Sequence, residues 1–216
     1  MSITENETNY LYNFSPRPEM EKYIPQATKR VLDVGCGSGG FCKTLNKNGR
    51  EVWGMEMNKD AANQAKQYCH KILIGDFDSL YPSLPNNYFD CITFTDVLEH
   101  MYAPWEVIAK CKNLLSPEGV LVVSLPNFLY IGNFIEVVIH REFEYKENGI
   151  LDITHLRFFT KKSMIKMFER ENYKIINIEG INPRINDWKV LFLKLISLGK
   201  LSESKFKQFA IVAKPQ

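Results

Sequence analysis

Val31-Leu-Asp-Val-Gly-Cys-Gly-Ser-Gly-Gly-Phe41 governs how the rest of the chain is read. Aliphatic residues around a single Asp run straight into glycines, and a helix-forming stretch follows. The segment therefore predicts a strand that empties into a ligand-binding turn. Gly35, Gly37 and Gly39 carry no Cβ, so the backbone can turn sharply there and let a ligand approach to van der Waals contact. The helix after them presents unpaired N–H groups and the positive end of its dipole, which suit a carboxylate or phosphate. The same letters also fit Gly35-x-Gly37-x-x-Gly40, the dinucleotide fingerprint of NAD and FAD enzymes. Asp33 separates the two readings: it would repel a pyrophosphate and attract an ammonium group, so an amino-acid-bearing nucleotide is the expected ligand.

Asp33-Val-Gly-Cys-Gly-Ser-Gly39 resembles motif I of the class I S-adenosylmethionine-dependent methyltransferases, and further segments match that family in order. Glu51-Val-Trp-Gly-Met-Glu56 reads as a second strand ending in an acid. The resemblance implies that Glu56 accepts hydrogen bonds from the ribose hydroxyls and that Met57 packs on the adenine face. Ile72-Leu-Ile-Gly-Asp76-Phe77 reads as the third strand and the loop that, in the family, receives the adenine amino group. The fourth strand, Phe89–Thr95, brings Thr95 to the cofactor side at its end. Leu115-Ser-Pro-Glu-Gly-Val-Leu-Val-Val-Ser124 is similar to the family's L-x-P-G-G-x-L-x-x-S element, with Glu118 in place of the first paired glycine. What the resemblance implies is an α/β, Rossmann-like, doubly wound sheet of seven mostly parallel strands, the last antiparallel, with helices on both faces and S-adenosylmethionine as cofactor.

Periodicity supplies the remaining elements. Pro104 can open a helix from Trp105 to Leu115, and Ser116–Gly119 reads as a turn into the apolar strand Val120–Leu125, of the kind covered on both faces. A helix over Lys161–Glu171 leads to a sixth strand, Tyr173–Gly180, and Gln208–Ala213 is the seventh. The 216 residues, 45% of them hydrophobic, suffice for one domain spanning 1–216. Within it, 1–25 forms an N-terminal arm or lid, 126–160 a substrate-side insertion and 181–206 a helical insertion. A net charge of +2 gives no strong electrostatic case for nucleic acid. Cys36, Cys42, Cys69, Cys91 and Cys111 lack metal-site spacing and read as reduced core residues. With no leader-like N-terminus and no membrane-length apolar run, a cytoplasmic location is expected.

The regions outside the alternation should recognise the acceptor. Tyr10, Tyr12, Phe14 and Arg17 belong to the lead-in arm. The stretch from Pro126 to Thr160 is far longer than a simple connection. It carries Phe128, Tyr145 and Asp152-Ile-Thr-His-Leu-Arg-Phe-Phe-Thr160, which resembles a segment of methyltransferases from bacterial surface-polysaccharide and sugar-modification loci and, more distantly, of ubiquinone-pathway O-methyltransferases. His100 and His155 are the candidate catalytic bases, since a neutral alcohol needs a proton acceptor and imidazole titrates near neutrality. The expected activity is methyl transfer to a small hydroxylated acceptor, a sugar or a phenol-like ring. The alternatives are an NAD-dependent oxidoreductase and a non-catalytic nucleotide-binding module. A further alternative takes Asp96, Glu99 and His100 as one helical face that binds a divalent metal with His155, a layout resembling that of small-RNA 2′-O-methyltransferases, with an RNA 2′-hydroxyl as substrate. Trp188–Leu198 reads as an apolar, lightly basic helix packed on the sheet or lining the acceptor pocket, with a membrane or a partner subunit, as in a homodimer, as the other readings.

Overall fold

The computed structural model describes residues 14–47, 49–184 and 187–216; Tyr10 and Tyr12 lie outside them. After a short helix α1 (Pro18–Glu21), strands and helices alternate: β1 (Arg30–Val34), α2 (Gly40–Asn46), β2 (Glu51–Glu56), α3 (Lys59–Ala65), β3 (Lys71–Ile74), α4 (Phe77–Leu80), β4 (Phe89–Thr95), α5 (Pro104–Leu114) and β5 (Leu115–Pro126). The chain then forms α6 (Ile131–Phe134), α7 (Lys161–Arg170), β6 (Tyr173–Pro183), α8 (Trp188–Ile196) and β7 (Phe206–Pro215). The strands make one seven-stranded sheet in the order β3-β2-β1-β4-β5-β7-β6, with the last strands antiparallel, as the sequence predicts.

Two compact units divide the chain. The first holds the described residues up to Thr95 and Val107–Val122. Its strands pair in parallel, Val31 opposite Val52 and Cys91, so Asp33 lies opposite Gly54 on one side and Thr93 on the other. Strand order reverses between β1 and β4, and in open α/β sheets ligands bind at the carboxyl ends of strands at such a point. Leu32, Ile92, Phe94 and Ile108 are wholly buried there. Burial of each stabilises the fold by about 1.5–3 kcal/mol.

The second unit holds Asp96–Glu106 and Val123–Lys214. Helix α7 buries Met164, Met167 and Phe168, and Thr160 caps it in a reciprocal box with Ser163. Such a cap is worth about 1 kcal/mol. Asn127 ties the start of the long excursion to the segment that enters β7, donating to the carbonyls of Glu203 and Phe206 while accepting from Leu129 N–H.

Three local expectations change. Ser116–Gly119 is not a free turn, because β5 already begins at Leu115 and its first residues form the exposed part of that strand. The helix expected from Trp105 to Leu115 runs from Pro104 to Leu114, and Leu115 already belongs to β5. No helix starts at Asp96, which sits in the left-handed region at φ +57°, followed by a single 3-10 turn, Leu98–His100.

Candidate active site

The glycine turn of the first unit is built from β1 and β2 together. Gly35 and Cys36 both donate to the carbonyl of Met55, which draws the turn over the end of β2. Glu56 completes it: one carboxylate oxygen accepts from Gly37 N–H and the other from Asn58 N–H, each at 2.9 Å. The glycines then divide the work. At Gly37, φ is +55° and a Cβ would meet no protein atom within 4 Å, so this is where the backbone lies open to a ligand. At Gly39, a Cβ would lie 2.9 Å from Ala65 and from Tyr68, so its requirement is helix packing. At Gly40, a Cβ would overlap the backbone of Ser15, which spends the third glycine of the dinucleotide pattern on the lead-in segment.

Asp33 is placed differently from the sequence expectation of direct ammonium contact. Its carboxyl is 0% exposed, accepting from Thr93 Oγ1 at 2.6 Å and Cys42 Sγ at 3.4 Å. Burial pushes its pKa up to about 7, against the opposing effect of the Thr93 and Cys42 hydrogen bonds. In this arrangement Asp33 joins the end of β1 to β4 through Thr93 and to α2 through Cys42. Phe77 likewise turns its ring into the core, 6.2 Å from Phe94, leaving its backbone for any ligand contact. Asp76 is exposed and caps α4 through Ser79 N–H, which holds its pKa below the usual carboxylate value. Met57 is 68% exposed beside Glu56, and Thr95 is half-buried at the end of β4.

In the second unit, residues far apart in sequence converge. One oxygen of Glu99 and one nitrogen from each of His100 and His155 all lie within 4.8 Å of one another. The two rings are 4.6 Å apart, edge to face, and His155 Nε2 is 3.9 Å from Glu99 Oε1. The Asp152–Arg157 segment is pinned onto this centre, since Leu156 and Arg157 both donate to the Glu99 carbonyl.

The tautomers follow from the partners. His155 Nδ1 is 2.9 Å from the carbonyl of Ile150, which only accepts, so Nδ1 carries the proton. His100 Nδ1 lies 3.2 Å from the Thr154 carbonyl and 3.0 Å from Thr154 Oγ1. The Thr154 hydroxyl spends its own proton on Asp152, at 2.6 Å, so it too accepts from His100. Nε2 of each ring is left with its lone pair. Burial, reinforced by the neighbouring His155, lowers the His100 pKa below that of free histidine.

The structure thus brings His100 and His155 together with Glu99 and leaves Asp96 out. The Asp96 carboxylate accepts from Ser124 Oγ at 2.7 Å and Gln208 Nε2 at 2.6 Å, which fixes it to β5 and β7. A wall of aromatic rings adjoins the centre: Phe158 is 6.4 Å from His155 and 5.8 Å from Phe143, and Tyr145 is 5.5 Å from Phe143. Sequence reading missed the roles of Thr154 and Asp152. Their spacing before His155 was visible, but their partner, His100, lies 54 residues from Thr154 along the chain.

Comparison with known proteins agrees with these features. A family model described as a methyltransferase domain matches residues 9–178. The ubiquinone biosynthesis O-methyltransferase of Coxiella burnetii is 29% identical over 177 residues, 76% of this chain and 74% of that protein. The enzyme of the same name from Glaesserella parasuis is 36% identical over 108 residues, 46% of each chain. The chain thus spans about half the length of several curated relatives it matches. Among solved structures, a SAM-dependent methyltransferase from Archaeoglobus fulgidus superposes with a TM-score of 0.69 at 21% identity, covering 91% of both chains, and so shares the fold. One from Mesorhizobium loti gives 0.65 at 19%, covering 91% of this chain and 95% of that one. The NAD-dependent reading of the glycines falls with this match. The chain belongs to the class I S-adenosylmethionine-dependent methyltransferases, and S-adenosylmethionine is its cofactor.

Proposed function

We propose that this enzyme methylates a hydroxyl oxygen of a small, ring-shaped acceptor, phenol-like or sugar, with His100 as the general base. The observation that carries the reading is the His100 tautomer: Nδ1 is tied to Thr154, so Nε2 is an acceptor, and the lowered pKa keeps it unprotonated at neutral pH. The first unit fits the cofactor. Gly37 opens onto unfilled space of the kind a bound nucleoside needs, with the exposed Met57 and Asp76 and the Glu56 carboxylate as groups that would hold it.

The cofactor, when bound, supplies a methyl group on a sulfonium centre, so the remaining demands on the protein are alignment, exclusion of water and removal of a proton. The rings of Phe143, Tyr145 and Phe158 offer flat apolar faces against which an acceptor ring packs. The acceptor's hydroxyl proton passes to His100 Nε2 as the oxygen is alkylated. The resulting imidazolium is stabilised through Thr154 by the Asp152 carboxylate, which favours the charged form. His155, fixed by Ile150, holds the edge of the His100 ring and keeps that nitrogen aimed. The relatives named O-methyltransferases support oxygen as the acceptor atom.

The test is incubation with labelled methyl donor and a panel of catechols, simple phenols and glycosides, with products read by mass. O-methylated ring product is expected; methylation confined to amines would overturn the reading. A second reading rests on the convergence of Glu99, His100 and His155. Nitrogen and carboxylate donors suit a divalent ion, and hydrogen bonds from the far side of each ring to a carbonyl are the usual support for metal-ligating histidines. Under it, exhaustive chelation abolishes turnover and Mg²⁺, Mn²⁺ or Zn²⁺ restores it. Full turnover after chelation leaves His100 as a plain base.

A further inference from the structure

Helix α8 is built inside out. Leu193 is 5% exposed and anchors the helix, yet Trp188 is 71% exposed and Leu195 65%, and Leu191, Phe192 and Ile196 are exposed as well. These residues recur at the spacing that puts them on one face of a helix, opposite Leu193. Leu198, in the left-handed turn that follows the helix, extends the same stripe into solvent. A contiguous apolar face of this kind marks a contact surface. It overturns the sequence expectation that this helix packs its apolar residues against the sheet.

The charges identify what covers it. By helical period, Lys189 and Lys194 flank the apolar face on its two sides, and Lys200 follows in the next turn. From Trp188 to Ser202 there is no acidic residue. The acids at the two borders are engaged: Asp187 pairs with Arg184 at 2.7 Å and caps the helix, and Glu203 pairs with Lys161. A two-fold contact between copies would set this patch against itself, bringing lysines together with no carboxylate from the patch to pair them. An anionic bilayer supplies the opposite charge and an apolar layer at once. We infer that α8 docks the enzyme on anionic membrane surfaces, Trp188, Leu191, Phe192 and Leu195 entering the headgroup–acyl boundary while the flanking lysines reach the headgroups. This is an in-plane helix: no helix among the described residues is long and apolar enough to cross a membrane.

The experiment is co-sedimentation of the full chain with phosphatidylcholine vesicles doped with phosphatidylglycerol, against pure phosphatidylcholine, with Trp188 emission as a second readout. Binding to the anionic vesicles, weakened by salt and accompanied by a blue shift that Trp188→Phe removes, is expected. Each of Lys189→Gln, Lys194→Gln and Lys200→Gln should weaken it about fivefold, the equivalent of roughly 1 kcal/mol per basic residue. Leu191→Glu with Leu195→Glu should abolish it while leaving the melting temperature and S-adenosylhomocysteine binding unchanged, because both side chains already face solvent. Equal binding to both vesicle types, or none to either, overturns the inference. So does a stable dimer in sedimentation velocity that the double glutamate variant converts to monomer, which would make the face a self-interface.

Discussion

Asp33 and Glu56 in the first unit and Glu99 in the second are buried in different surroundings. In the first, Asp33 and Glu56 are held by Thr93, Cys42 and backbone N–H groups, partners that do not titrate near neutrality. In the second, Glu99 lies beside two imidazoles whose Nε2 lone pairs are uncommitted to the backbone. A carboxylate fixed by amides and a hydroxyl shapes a binding turn. A carboxylate among imidazoles has neighbours that can themselves accept a proton. Under the proposed function, cofactor binding belongs to the first unit and acceptor chemistry to the second, and this division breaks if perturbing one unit moves the other's observable.

The largest effect is expected from His100→Ala. Loss of a general base lowers kcat by roughly 10²–10⁴-fold, and S-adenosylhomocysteine affinity measured by calorimetry should stay at the wild-type value. A parallel loss of cofactor affinity with the fold intact would erase the division between the units.

Asp33 sharpens the contrast from the other side. Its folded pKa is raised from 3.8 to about 7, so the folded protein holds that proton more tightly than the unfolded chain does. The stability it contributes is therefore complete below its unfolded pKa and is lost as pH rises through the folded value. Urea unfolding across this range should show stability falling as pH approaches neutrality, and Asp33→Asn should flatten that slope. An unchanged slope in the variant would place the titration elsewhere.

Smaller changes are expected in the cofactor turn. Gly37→Val forces a β-branched residue to φ +55°, a conformation costing about 1–2 kcal/mol for residues with a Cβ, and fills the open space beside the turn. The strain lowers stability, while the filled space should lower S-adenosylhomocysteine affinity at least tenfold, roughly 1.4 kcal/mol. Glu56→Gln replaces charge-assisted hydrogen bonds by neutral ones about half as strong. Its affinity loss should be smaller than that of Gly37→Val, with the kcat of saturated enzyme unchanged.

The same division explains how much was legible in the sequence. The first unit is made of local signals: a strand, a glycine turn and a helix follow one another within a few residues, and Phe89–Thr95 forms as a strand over the predicted span. Roles inside that unit were less legible. Gly37 and Gly39 look alike in sequence, and only the approach of α3 shows that one faces open space and the other faces Ala65. Asp33 could not be seen as buried without the register that puts Thr93 beside it. In the second unit, the sequence points to His100 and His155 but not to their tautomers, because Thr154 and Asp152 act across the fold. Helical spacing groups Asp96 with Glu99, but the left-handed backbone at Asp96 replaces that helix with a single turn. Helix α8 was legible as a helix, whereas which of its faces is covered is a tertiary fact.

The central claim is that the second unit removes a proton through His100, and the pH dependence of kcat with an O-methylated acceptor tests it most directly. The wild-type profile should show an acidic limb centred below the ordinary histidine pKa, since burial and His155 disfavour the imidazolium. Thr154→Val should shift that limb by removing a hydroxyl partner of Nδ1, and His100→Ala should abolish it. An acidic limb that persists unchanged in His100→Ala would contradict the account.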